Sequence, residues 1–176
     1  AVLFALFLID RIIHLKNGEI ALQGLKGEKI NLSSSLVPRS YTVLRTAFRK
    51  SFATGEDFSL LVLYALLGEQ DIKEALKRLD VIPSEFALKV SVALAASRVT
   101  IDQEATFALI ESILNDAYKV AVATNEKFIF PRNIFLGLLN QAHPAVSRIF
   151  NLFDLKASEL REALLFSRYV NRLAGI

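Results

Sequence analysis

The chain has 176 residues and contains no cysteine, no methionine and no tryptophan. Without cysteine there is no disulfide framework, no thiolate metal site and no cysteine nucleophile, and nothing in the chain requires an oxidising compartment. The missing initiator methionine predicts a chain cut from a longer product. Proline, with 4 residues, and glycine, with 7, are sparse, which argues against a disordered or collagen-like chain. Only His14 and His143 could supply imidazole. They lie far apart and lack spaced carboxylate companions, so no metal-ligand set emerges. No serine sits in Gly-x-Ser-x-Gly, and Gly24, Gly27 and Lys29 lack the spacing of a phosphate loop. The expectation is a chain with no catalytic, cofactor-binding or metal-binding residues. A strong excess of either charge is missing too. Lys and Arg total 21 against 18 acidic residues, for a formal charge of +3, spread along the chain rather than gathered in a tract. Nucleic acid is therefore not an expected partner.

What the chain does have is apolar content, with 53% hydrophobic residues and 13 phenylalanines. Residues 130–166 organise it. Pro131 suits the first turn of a helix, where its missing amide has no partner to lose, and Ile134-Phe135-Leu136-Gly137-Leu138-Leu139 then predicts a helix buried on nearly all sides. Pro144 opens another, with Val146, Ile149, Phe150 and Phe153 at helical spacing. A third begins near Ala157, with Leu160, Ala163 and Leu164 inward.

A weaker copy lies upstream. Ile72, Ala75, Leu76 and Leu79 fall opposite Val146, Ile149, Phe150 and Phe153. Val81, Ser84, Glu85 and Phe86 continue that register against Leu155, Ser158, Glu159 and Leu160 without a gap. Leu63-Tyr64-Ala65-Leu66-Leu67 falls opposite Phe135-Leu136-Gly137-Leu138-Leu139, and Val43, Leu44, Ala47, Phe48 and Thr54 opposite Ile113, Leu114, Ala117, Tyr118 and Thr124. Spacing changes only between helices, as in a repeat. The prediction is an all-α fold: a tandem repeat of two four-helix units with pseudo-twofold symmetry, over 33–100 and 101–176, plus a short N-terminal extension over 1–32. The first helix should run over about 39–53 and end at Gly55, with Val43, Leu44, Ala47, Phe48 and Phe52 inward and Arg45, Arg49 and Lys50 outward. Its counterpart should span about 103–124 with Asp102 as N-cap, and 99–102 should form the boundary between units.

In the extension, residues 1–9 are an unbroken apolar run, too short for the roughly 20 residues that cross a bilayer. Two readings stay open: an element packed on the repeats, or the end of a membrane anchor followed by Arg11, Lys16, Lys26 and Lys29. Asn17-Gly18 between apolar runs also admits a small hairpin.

This tandem, carrying Tyr64-Ala65-Leu66-Leu67, Leu136-Gly137-Leu138-Leu139, Leu79-Asp80-Val81 and Phe153-Asp154-Leu155, resembles the Clp N-terminal domain, which caps AAA+ protein-unfolding machines. The family's Glu-His pair before the Leu-Leu run reads here Ser59-Leu60 and Pro131-Arg132. The resemblance implies a non-catalytic docking module for adaptor or client proteins, serving chaperone and proteolysis work. ATP hydrolysis would reside in AAA+ modules elsewhere in the parent chain. It implies a cytoplasmic place, at the cytoplasmic face of a membrane if residues 1–13 and what precedes them form an anchor. The alternative is a free-standing helical scaffold or membrane-associated regulator with no ATPase partner. The loops at 55–58 and 126–132 are the expected rim of a protein-binding site, with Glu56, Asp57, Lys127 and Arg132 beside exposed Phe58 and Phe128. Some Clp N-terminal domains bind phosphorylated arginine through acidic and threonine residues. Glu56-Asp57 matches that role in the first copy, whereas Arg132-Asn133 in the second cannot accept a guanidinium.

Overall fold

The computed structural model describes residues 32–98 and 102–173. The predicted extension apart from Leu32, including the hairpin, the anchor and His14, lies outside the described residues. So does the predicted boundary at 99–102, apart from Asp102. The described chain is helical: a 3-10 turn, Leu32–Ser35, then α1 (Pro38–Thr54), α2 (Phe58–Leu66), α3 (Gln70–Arg78), α4 (Pro83–Ala96), α5 (Gln103–Ala123), α6 (Pro131–Asn140), α7 (Pro144–Leu152) and α8 (Ala157–Leu173). Among the described residues, β-type pairing is limited to two isolated bridges, Leu36 with Ile129 and Glu56 with Arg98.

Helix boundaries follow local chemistry. Proline occupies the first turn of α1, α4, α6 and α7, where a missing N–H costs nothing. Asp57 caps α2 by accepting the Leu60 N–H at 3.0 Å. Asp102 caps α5 as predicted, accepting from Glu104 and Ala105, a device worth about 1 kcal/mol. Gly55 ends α1 at φ 71°, a left-handed conformation that glycine adopts without a Cβ clash.

Helices α2 and α6 pack against each other and form the centre. Phe58 through Leu63 and Leu66 are buried in α2, and Asn133 through Leu138 in α6, as expected of helices surrounded by others. Around them α1 covers α2, while α5 lies closely along α6. Packing also exchanges partners between the two halves of the sequence: α3 rests on α8, and α4 on α7. Phe86 of α4 sits between Phe150 and Phe153, with ring centroids 5.3 and 5.0 Å away, and Phe150 meets Phe135 edge-on at 6.0 Å. One contiguous core of buried residues therefore runs from Leu36 to Leu164.

The residues before α1 pack on the rest of the fold. Leu36 is buried, and this segment is strapped to the loop before α6. The Ile129 N–H donates to the Ser35 carbonyl at 2.8 Å and the Val37 N–H to the Ile129 carbonyl at 3.2 Å, and the Ser40 hydroxyl donates to that same carbonyl at 2.9 Å. Phe52, expected inward, is 41% exposed, because the buried stripe of α1 follows Val43, Leu44, Ala47 and Ser51. Among the described residues, no helix is long and apolar enough to cross a membrane.

Candidate functional site

The strap and three helix starts enclose a groove of about 670 Å³. Val37 and Arg39 line it from the start of α1, Glu69, Gln70 and Asp71 from the start of α3, and Phe130, Pro131 and Arg132 from the start of α6, with Glu74 and Arg78 further along α3. Its lining is mixed, with charged side chains of both signs beside Val37, Phe130 and Pro131.

Arg132 is the centre of this site. Its Nε and Nη2 donate to Glu126 Oε1 at 3.1 and 2.9 Å, and its Nη1 lies 3.4 Å from Asp71 Oδ2. The guanidinium carbon stands 4.5 Å from the centroid of the Phe130 ring, within cation–π range. Glu126 has a side chain only 3% exposed. Its other oxygen accepts from Asn133 Nδ2 at 2.7 Å, and Asn133 Oδ1 in turn accepts the Phe130 N–H at 2.6 Å, closing the start of α6. A buried carboxylate is tolerable only with such partners. Arg132 thus ties the loop before α6 to the first turn of α3.

Arg39 approaches Glu69 at 2.6 Å across the groove, but with a side chain 60% exposed this pair is worth only about 0–1 kcal/mol. Arg78, at the far end of the groove, donates to the Ala163 carbonyl at 3.4 Å and lies 4.9 Å from the Phe166 ring of α8.

Of the six predicted site residues, Arg132 lines this groove. Glu56 and Asp57 occupy a different environment. Glu56 pairs with Lys50 at 3.0 Å, accepts from the Thr54 hydroxyl at 2.9 Å and is bridged through its backbone to Arg98. The hydrogen bond from Lys50 holds its carboxyl below the ordinary value of 4.5; burial opposes this, while Thr54 and the charges of Lys50 and Arg98 reinforce it. Asp57, besides capping α2, lies 3.7 Å from His143 Nε2 at the start of α7. Phe58 is 5% exposed, which corrects its placement on the rim: it is the first residue of a helix enclosed by the core, and its ring belongs there. Lys127 is exposed and Phe128 half-buried.

The sequence reading missed Glu126, Asp71, Arg39 and Glu69 as members of one site. A signal for Glu126 existed. The match of Thr54 with Thr124, carried two residues further, sets Glu56 opposite Glu126. Nothing in the sequence joins α3 to α6. Among the described residues, no group of three or more His, Cys, Asp or Glu side chains is placed to hold a metal ion.

No family model matches the chain, and no curated protein matches it. Among solved structures, it is similar to one from preliminary structural investigations of a malarial protein secretion system, at 19% identity and a TM-score of 0.61. That similarity covers 78% of this chain and 96% of the other. At such identity the likeness is one of fold.

Proposed function

We propose that the chain is a divergent Clp N-terminal-type domain: two four-helix units with approximate twofold symmetry, acting without catalysis as a docking surface for adaptor or client polypeptides presented to AAA+ modules. The observation that carries this reading is a turn repeated between the units. Asp80 and Asp154 both take the left-handed conformation, at φ 57° and 51°. The following residue folds back identically, with the Val81 N–H on the Leu76 carbonyl and the Leu155 N–H on the Phe150 carbonyl, each at 3.0 Å. These are the residues that carry the sequence resemblance. The exchange of α3 onto α8 and α4 onto α7 is the packing that a twofold relation between units would produce. The similar structure's setting, a protein secretion system, also concerns polypeptides.

Docking would use the junction of the two units, where Arg132, Arg39, Asp71 and Glu69 offer both signs of charge beside Phe130. Such mixed surfaces suit weak, adaptable peptide capture. The test is a titration of isotope-labelled protein with a permanently unfolded polypeptide, such as reduced and carboxymethylated lactalbumin, followed by amide chemical shifts. Shifts at 126–132 and at the start of α3 are expected. Absence of binding, binding mapped elsewhere, or ATP or peptide hydrolysis by the purified chain would sink the proposal. A Walker motif in the coding sequence beyond residue 176 would separate it from a free-standing scaffold.

A further inference from the structure

Helix α1 carries a second pattern along the flank of its buried stripe, where Tyr41 and Phe48 are partly buried against the core. Tyr41, Arg45, Phe48, Arg49 and Phe52 recur at spacings of three and four, which sets them in one row beside the buried stripe. Arg49 and Phe52 are exposed, and Tyr41, Arg45 and Phe48 half-buried. Phe48 joins this row to α5: its ring centroid is 4.6 Å from that of Phe52 and 5.3 Å from that of half-buried Phe107, with the latter planes 28° apart. Three rings thus form a cluster at the surface, spanning two helices.

The charge around the rings has one sign on α1, which holds Arg39, Arg45, Arg49 and Lys50 and no carboxylate. Arg39 is engaged by Glu69 and Lys50 by Glu56. Among the described residues, Arg45 and Arg49 have no carboxylate within ion-pair distance, although Glu104 and Glu111 flank Phe107 on α5. Arginine beside exposed aromatic rings is the composition of an energetic centre in a protein interface, and these two arginines lack the acidic partners that such a centre supplies.

We propose that this α1–α5 face docks an acidic amphipathic helix. Two of its carboxylates, one turn apart, pair with Arg45 and Arg49, and its apolar side chains cover Phe48, Phe52 and Phe107. Arginines four residues apart stand about 5–6 Å from each other at Cβ, the spacing that Glu or Asp at i and i+4 presents on a facing helix. The stretch from Arg45 to Phe52 is about 11 Å long, room for two turns of docked helix. Two unengaged cations fall short of the roughly 6–10 phosphate contacts of a nucleic-acid site and of the 4–8 basic residues of a polybasic membrane patch. They match two carboxylates. This surface is separate from the groove around Arg132, so its fate and that of the docking role proposed above are independent.

The 176-residue chain is titrated with a fluorescent helical peptide of roughly 18 residues, carrying glutamates at i and i+4 and a leucine face. The same titration is run with its Glu→Gln twin, with single-stranded oligothymidylate and with phosphatidylserine vesicles. Saturable binding of the acidic peptide is expected, with shifts at Phe52 and Phe107. The neutral twin should bind about 10-fold more weakly, as should the acidic peptide to the Arg45→Glu/Arg49→Glu protein, whose circular dichroism should be unchanged. Equal binding of the twin, shifts confined to another surface, no saturable binding, or preference for the oligonucleotide or vesicles would overturn the proposal.

Discussion

A Cβ placed on Gly137 would lie 2.5 Å from the Ile113 carbonyl oxygen and 3.0 Å from the Ala117 nitrogen. Both are backbone atoms inside α5 and cannot rotate aside. Gly137→Ala must therefore push α6 off α5, at a cost of about 1–3 kcal/mol, read as a lower urea midpoint with an unchanged slope. In the sequence Gly137 is only a small residue in an apolar run, since the carbonyl that requires it belongs to another helix. Glu56 gives a second test at this scale. Its folded-state carboxyl titrates below the ordinary 4.5, so the unfolded chain takes up its proton first as the pH falls. The stability from this group is complete above that ordinary value and is lost as the pH drops through the lower folded one. Glu56→Gln should flatten that part of the acid limb when urea midpoints are followed downward from neutral pH. Curves that stay parallel for the two proteins would show that Glu56 contributes no pH-dependent stability. The candidate site was legible only in part for a related reason. Arg132 stood out as a charge before a buried helix, whereas Asp71 and Glu126 become its partners only once α3 and the α6 loop are brought together.

Helices were the most legible level. The prolines that open α6 and α7, the Asp102 cap and the Gly55 stop act within one turn of the chain, and their positions agree with the structure to within about one or two residues. Less visible were the strap at Leu36 and the outward turn of Phe52. Apolar spacing marks a residue as fit for a core without saying which neighbour arrives to cover it. The turns at Asp80 and Asp154 allow a test of equivalence between elements. Each aspartate bears left-handed strain that glycine would relieve and a β-branched side chain would raise by about 1–2 kcal/mol. Asp80→Gly and Asp154→Gly should therefore leave thermal midpoints level or higher, and Asp80→Val and Asp154→Val should lower them alike. Opposite responses at the two positions would break the proposed correspondence between the two turns.

For the whole molecule, the exchange of α3 onto α8 and α4 onto α7 leaves neither half with a complete core. Unfolding should follow one transition, with coincident helical circular dichroism and tyrosine fluorescence. Leu66→Ala and Leu138→Ala, both at fully buried positions, should each lower that same transition by about 2–5 kcal/mol. Two separated transitions would show that the halves stand alone. The strap has a further consequence, in time rather than energy. The Ser40 hydroxyl waits for a carbonyl 89 residues further along the chain, and a ribosome adds roughly 5–20 residues each second. For several seconds of every synthesis the first helices leave the exit tunnel with Leu36 and the faces of α3 and α4 unmatched. In that interval the nascent chain is itself the kind of sticky, half-made polypeptide that chaperones attend.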